Sequence, residues 1–283
     1  MPKWLFLLIL LIFIPTASAE LMFEGENVVD IFHAQDFKEN LIKAKNGDAR
    51  AQYLVGAAYL HGLDDAQVQV DPDKGVFWLK KAGEQGAAEA YDDLAVSYRE
   101  GLGVERDAGK WQEYLAKAAE LGKLDALSEV TALYRDGNPK MGVDKNEKKY
   151  IYWLRKEAEA GSVTSIYNLS RRYRLGLGVE KDLKKALEWI MRGVQRNDGM
   201  AKAYAAEFFE NGLGTEKDLV KAYMLYDLST GIGREAKQEL AKKMTDDQIK
   251  EAIARSWQWQ MERGVVHPSS EGYRYRYPLE ESD

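Results

Sequence analysis

The sequence contains no cysteine. That excludes disulfides, thiolate nucleophiles, cysteine-held metals and lipid attached through cysteine. Histidine is scarce: His33, His61 and His267 fall in three separate segments, without the spacing of a metal-ligand set. An excess of basic charge is also missing. Lys and Arg number 40 against 46 Asp and Glu, a net charge of −6, so non-specific nucleic-acid binding, which needs clustered cations, is not expected. No Gly-x-Ser-x-Gly nucleophile elbow occurs. Gly-Leu-Gly triplets begin at Gly101, Gly176 and Gly212. They follow helical rather than strand patterns and lack a Gly-Lys-Ser/Thr ending, so they are turns and not phosphate loops. The acidic stretch Asp64, Asp65, Asp71 and Asp73 lacks the ordered ligand spacing of a calcium loop. No catalytic residue, cofactor or metal site is assigned, and the chain is not expected to be an enzyme.

What is present is a globular composition, 45% hydrophobic and 30% charged, preceded by one apolar run. Lys3 gives a short positive start, Trp4 to Ile14 are unbroken apolar residues, and Ala17-Ser18-Ala19 is a small-x-small cleavage site. The run is too short to span a bilayer, which needs about 20 residues. Residues 1–19 are therefore expected to be a signal peptide cleaved near Ala19. The mature chain then starts near Glu20 without stable membrane insertion, in the periplasm if the cell is Gram-negative.

The rest of the chain repeats. Gly62, Gly101, Gly137, Gly176 and Gly212 stand 39, 36, 39 and 36 residues apart. Three residues before each is an aromatic: Tyr59, Tyr98, Tyr134, Tyr173 and Phe209. Apolar residues (Val55, Leu94, Val130, Leu169, Ala205) and small ones (Ala51, Ala90, Ala126, Ser165, Ala201) precede these at steps of four, which places all three on one helical face. A second small residue lies six before the glycine (Gly56, Ala95, Thr131, Ser170, Ala206), where a neighbouring helix can approach closely. The glycine ends the helix by taking a left-handed backbone.

A second helix follows in each unit. Its expected N-caps are Asp71, Asp107, Asn146, Asp182 and Asp218. Seven residues after each cap is a large apolar side chain (Trp78, Tyr114, Trp153, Trp189, Leu225), and three after it a lysine recurs (Lys74, Lys110, Lys149, Lys185, Lys221). The glycine-to-cap distance is six residues in three units and nine in the first and third. The underlying unit is thus 36 residues with two three-residue loop extensions.

These residues resemble the Sel-one-like repeat family, a relative of the tetratricopeptide repeats. The fullest match runs from Ser165 through Tyr173, Gly176-Leu-Gly-Val179, Asp182, Lys185-Ala186 and Trp189. Repeat three departs in its glycine loop, and repeat five has Thr215 where valine is usual. The expected architecture is an all-α, right-handed α/α solenoid of about five helix-turn-helix repeats over residues 48–233. N-terminal capping helices are expected over 20–47, C-terminal capping helices over 234–263, and a Tyr/Arg-rich tail over 264–283. Thr245 and Gln248 form a capping box that opens the last helix, Ile249 to about Arg263.

Function is expected in what the repeats do not share. Arg99, Arg135 and Arg174 each stand two before their glycine, with Arg171 one turn earlier in repeat four. Aligned, they form a cationic strip for a partner's carboxylates or carbonyls. Alternatively they make local ion pairs with Glu100 and Asp136, worth little each. Tyr91, Tyr204 and Glu207 lie off the core face as further candidate contacts. In the tail, Tyr273, Tyr275 and Tyr277 alternate with arginines as an extended strand would. The tail would either dock on a partner or, the favoured reading, fold back over Trp257 and Trp259. The family resemblance implies a non-catalytic periplasmic scaffold that binds another protein. Its most specific form is an immunity or inhibitor protein that neutralises a type VI secretion lipase or phospholipase effector. A regulator or assembly factor of a signalling or envelope system is the alternative. A carbohydrate- or peptidoglycan-binding module, which needs exposed aromatic platforms, is the alternative of another class.

Overall fold

The computed structural model of the protein describes residues 22–23, 26–27, 37–62 and 68–276. The expected signal peptide, Asp64, Asp65 and Tyr277 lie outside the described residues. Among the described residues, apart from a two-residue antiparallel pairing of Met22–Phe23 with Glu26–Asn27 and an isolated bridge between Asn138 and Val143, the regular structure is helical. α1 spans Phe37–Lys45. Two helices per repeat follow in chain order: α2 Ala49–His61 and α3 Pro72–Glu84, α4 Ala88–Glu100 and α5 Ala108–Glu120, α6 Leu124–Asp136 and α7 Glu147–Glu159, α8 Val163–Leu175 and α9 Leu183–Gln195, and α10 Gly199–Asn211 and α11 Leu219–Asp227. α12 Arg234–Ala241, α13 Asp246–Arg263 and α14 Glu271–Arg276 follow. No helix among the described residues is long and apolar enough to cross a membrane.

One local device is common to all five repeats. The backbone N–H of each capping residue donates to the carbonyl of the aromatic three before the glycine. The pairs are Asp71 to Tyr59 (2.8 Å), Asp107 to Tyr98 (3.0 Å), Asn146 to Tyr134 (2.9 Å), Asp182 to Tyr173 (2.8 Å) and Asp218 to Phe209 (2.9 Å). This bond closes short and long loops alike, so an extension leaves the helix ends where they were. In repeat three the added residues fold on themselves. Pro139–Met141 form a 3₁₀ turn, and Asn138 Oδ1 accepts from the Met141 N–H at 3.2 Å.

The capping oxygen then accepts from the backbone N–H of the recurring lysine, at 2.8–3.2 Å across the five pairs. That satisfies one otherwise orphaned helical donor. The lysine side chain turns back over the ring of the same aromatic. Its Nζ lies 5.4 Å from the Tyr59 centroid, 5.5 Å from Tyr98, 4.7 Å from Tyr134, 5.9 Å from Tyr173 and 4.0 Å from Phe209. A contact of this kind stabilises by about 0.5–1 kcal/mol where exposed. The lysine therefore belongs to the scaffold.

Two glycine roles differ. Gly176 ends α8 with φ +73°, a left-handed backbone. Gly103, two residues past its helix end, has φ +65° and lies so close to the Pro72 carbonyl that a Cβ there would overlap it. The second glycine of this Gly-Leu-Gly triplet thus lets the loop sit on the first turn of α3. The small residue six before the glycine does the corresponding work between helices. Buried Ser170 donates its hydroxyl to the Ala186 carbonyl at 2.7 Å.

The described residues divide into two compact units. One holds those up to Val130 together with Asn138–Asp144, the other Thr131–Gly137 and everything from Lys145. Leu54, Ala58, Leu79, Ala90 and Leu94 fill the core of the first. Ile190, Ala205, Phe209, Leu225, Leu240 and Ala252 fill that of the second. Each large member contributes about 1.5–3 kcal/mol by leaving water. Of the large residues seven after the caps, Trp78, Trp153, Trp189 and Leu225 are buried. Tyr114 is half-buried, and Trp111 is the buried aromatic of that helix.

Candidate partner-binding surface

The arginines two before Gly101, Gly137 and Gly176 end their helices beside carboxylates. Arg99 donates from Nε to Glu100 Oε1 at 2.9 Å and from Nη1 to Glu129 Oε1 at 2.7 Å. Arg135 grips Asp136 through Nη2 at 2.7 Å and Nε at 3.1 Å. Arg174 makes a two-pronged pair with Glu207, at 2.8 and 2.5 Å. Its guanidinium lies 5.2 Å from the Tyr204 centroid and 5.6 Å from Phe208. The hydrogen bonds to Glu207 hold the Arg174 pKa well above its ordinary value. Glu129 and Glu207 come from the next repeat along, so sequence neighbours supplied only part of the pairing. These positions carry their own counter-charges rather than bare cations. Arg171 stays exposed.

Tyr91 stacks on Tyr114 with centroids 5.8 Å apart, and Tyr114 on Tyr98 at 5.5 Å. Lys117 Nζ lies 5.3 Å from the Tyr91 centroid and 5.1 Å from that of Tyr114. Tyr204 packs on Tyr167 at 4.9 Å. These candidate contacts are half-buried members of aromatic clusters.

The tail corrects the strand expectation. Glu271–Arg276, which includes Tyr273 and Tyr275, is helical. The buried Asp227 carboxylate accepts from the N–H of Glu271 at 2.8 Å and of Gly272 at 3.1 Å, and Ser270 Oγ accepts from the Tyr273 N–H at 3.1 Å. Three free N–H groups of a helix start are thereby satisfied, and this outweighs a five-residue alternation. The Tyr273 ring lies 6.5 Å from Trp257. Glu271 accepts from Tyr223 Oη at 2.9 Å and Lys237 Nζ at 2.8 Å. The tail helix thus lies against α11, α12 and α13.

Before it, His267 is buried with its ring 6.3 Å from Trp259. Its Nε2 is 3.2 Å from Lys202 Nζ and 3.0 Å from Asn197 Oδ1. Lys202 is fully buried and also donates to the Leu228 carbonyl at 3.1 Å. Desolvation pushes its pKa down to about 8. No motif or periodicity marked this cluster, because His267 is 65 residues from Lys202 and 70 from Asn197 along the chain.

Sequence reasoning also passed over Arg155. With Tyr173, Lys185, Glu188, Trp189 and Arg192 it lines an open recess of about 330 Å³ in the second unit. Tyr173 and Trp189 are nearly covered, while Arg155 and Arg192 are exposed. Arg155 Nη2 donates to Tyr173 Oη at 2.9 Å. Arg192 lies over the Trp189 ring, 4.1 Å from its centroid. Lys185 pairs with Asp182 at 3.0 Å. Among the described residues, neither arginine of the recess has a carboxylate partner. No group of three or more His, Asp or Glu side chains among them is arranged to hold a metal ion.

The Sel1 repeat model matches residues 49–86, 88–123, 126–162, 163–190 and 192–230. Solved structures similar to this chain include a protective antigen of uropathogenic Escherichia coli displaying an SLR fold. It is 25% identical with a TM-score of 0.48, over 90% of this chain and 55% of that one, so the chain spans about half the length of that protein. A Sel1 repeat protein from Oxalobacter formigenes is 22% identical, with a TM-score of 0.47 over 90% of this chain and 98% of that one. The immunity protein Pa5087 from Pseudomonas aeruginosa is 17% identical, with a TM-score of 0.32 over 81% of this chain and 89% of that one.

Proposed function

Because this chain belongs to the Sel1 repeat family, whose repeats are scaffolds for protein interaction, we propose that it is a non-catalytic periplasmic binder of another protein. Its most specific role is as an immunity or inhibitor protein that neutralises a secreted lipase or phospholipase effector. The observation that carries the binding role is the division of labour within the repeats. The caps, aromatics, lysines and small residues all serve helix pairing. Recognition is therefore left to side chains outside the repeat pattern, among them Arg155, Arg171 and Arg192, all exposed.

A carbohydrate-binding role would use exposed rings such as Phe77 and Tyr152. Each already has a lysine ammonium against it, Lys81 at 5.2 Å and Lys156 at 5.6 Å. That cation covers one face of each ring, which leaves less of an open platform and favours the protein-binding reading.

The test is protection. Cells that express the full chain should survive a periplasmically delivered lipase or phospholipase effector that kills cells lacking it, and the purified chain should inhibit that enzyme in a stable complex. Survival no better than in cells lacking the chain, with no complex on gel filtration, would exclude the inhibitor role.

A further inference from the structure

We propose that the recess lined by Arg155, Tyr173, Trp189 and Arg192 is a carboxylate-binding pocket that receives an Asp or Glu side chain of the protein partner. The proposal rests on the protein-binding reading and deepens it. Two exposed guanidiniums face the recess in a chain of net charge −6, and among the described residues neither is ion-paired with a carboxylate, Glu188 of the same lining included. Arg155 spends one of its five donors on a neutral phenol, Tyr173 Oη. Arg192 lies over the Trp189 ring with its Cζ 4.1 Å from the centroid, a contact that helps order the side chain, and no hydrogen bond to a carboxylate occupies its donors. A planar fork held against a ring is suited to two parallel hydrogen bonds to a carboxylate. The nearly buried rings form an apolar floor that keeps water from one side of the pair, so the interaction is stronger than between solvated charges. Arginine and aromatic side chains together also have the composition of interface hot spots.

An internal comparison sharpens the argument. The equivalent positions in the first unit are Lys80 for Arg155, Tyr98 for Tyr173, Tyr114 for Trp189 and Lys117 for Arg192. There Lys117 is paired with Glu113 at 2.7 Å, one turn away. In the second unit the equivalent acid, Glu188, makes no such pair with Arg192. Counting along the helix, the Arg155 position holds Ala116 in repeat two and Met191 in repeat four. The repeat scaffold therefore does not require a cation there, and the two arginines coincide at one place in the array.

The probe is a fluorescein-labelled tetraglutamate peptide titrated into the full mature chain at low ionic strength, where exposed charge pairing is least screened. Saturable binding is expected, absent with tetraglutamine. Arg155→Ala and Arg192→Ala should each weaken it by about tenfold or more, the scale of a lost charge-assisted hydrogen bond. Lys117→Ala should leave it unchanged. Both arginines are exposed, so the variants should stay folded, with only a small drop in melting temperature from the lost contacts to Tyr173 and Trp189. Equal binding by wild type and both variants, or no saturable binding, would overturn the proposal. So would binding of inorganic phosphate at the arginines with no competition from tetraglutamate. Capture of a periplasmic partner separates the two readings. A partner held equally by wild type and the double variant leaves the protein-binding role standing and removes the pocket. Arginine-dependent tetraglutamate binding by a chain that captures no partner does the reverse.

Discussion

The Asp227 carboxylate, buried at the end of α11, accepts the Ser256 hydroxyl of α13 at 2.6 Å. The same carboxylate takes Lys237 Nζ at 2.9 Å and the N–H groups of Glu271 and Gly272. One side chain therefore joins the last repeat helix to all three C-terminal helices. Removing one partner from a buried charged network costs about 3–5 kcal/mol. Asp227→Ala should lower stability by that order in denaturant titration. It should also bring hydrogen exchange over residues 264–276 close to the unprotected rate. Unchanged protection there would show that packing of Tyr273 on Trp257, and not the carboxylate, holds the tail.

The contact between His267 and Lys202 makes this end of the chain sensitive to acid. Burial, with Lys202 adding, holds the His267 pKa below 6.5, and Asp227 opposes the shift. Lys202 is pushed down to about 8 by burial, with Arg263 adding and Asp198 opposing. Both are bases whose folded pKa lies below the unfolded value, so the unfolded chain binds the proton more readily. Stability therefore rises with pH, up to about 6.5 for His267 and between about 8 and 10.5 for Lys202. The melting temperature should fall as pH drops below 6.5, and His267→Gln should reduce that fall. A His267→Gln profile that superimposes on wild type would assign the acid sensitivity elsewhere.

Asp93 in α4 has the opposite sign. Burial, with Asp92 and Glu89 adding and Lys123 opposing, pushes its carboxyl up to about 8, and its Oδ2 has no hydrogen-bond partner. A carboxyl with a raised folded pKa is better protonated in the folded state, so its contribution falls as pH rises from 3.8 through about 8. Asp93→Asn removes that penalty. The variant should be more stable than wild type at pH 8, and the difference should shrink at pH 5. A variant less stable at both would show that the ionised carboxylate makes a favourable contact.

Gly103→Ala tests the close loop approach. The added methyl meets the Pro72 carbonyl at a positive φ, so strain and overlap act together. A cost of about 1–3 kcal/mol is expected from overpacking alone, read as a drop in the urea midpoint. Gly142→Ala is the control, since its Cβ meets nothing within 4 Å at a matching φ of +68°. Equal losses in the two would reduce the effect to backbone strain.

The sequence by itself determined the repeat: where helices start, where they stop and which face is apolar. Each of those features is local. A capping oxygen needs only an N–H three residues on, a left-handed stop needs only a glycine, and a four-residue step defines a face whatever lies opposite. The recurring lysine was visible too, but its role was not, because the ring beneath it is 12 or 15 residues away, across a loop of variable length. The local pairs of Arg99 with Glu100 and Arg135 with Asp136 were legible as well, but only the tertiary structure decided the charge partners that lie farther along the chain. Glu129 and Glu207 reach Arg99 and Arg174 from the next repeat, Asp227 turned an alternating tail into a capped helix, and Arg155 met Arg192 from another helix. Such pairings are set by distances in space between residues 30 or more positions apart, and at that separation neither periodicity nor spacing carries a signal.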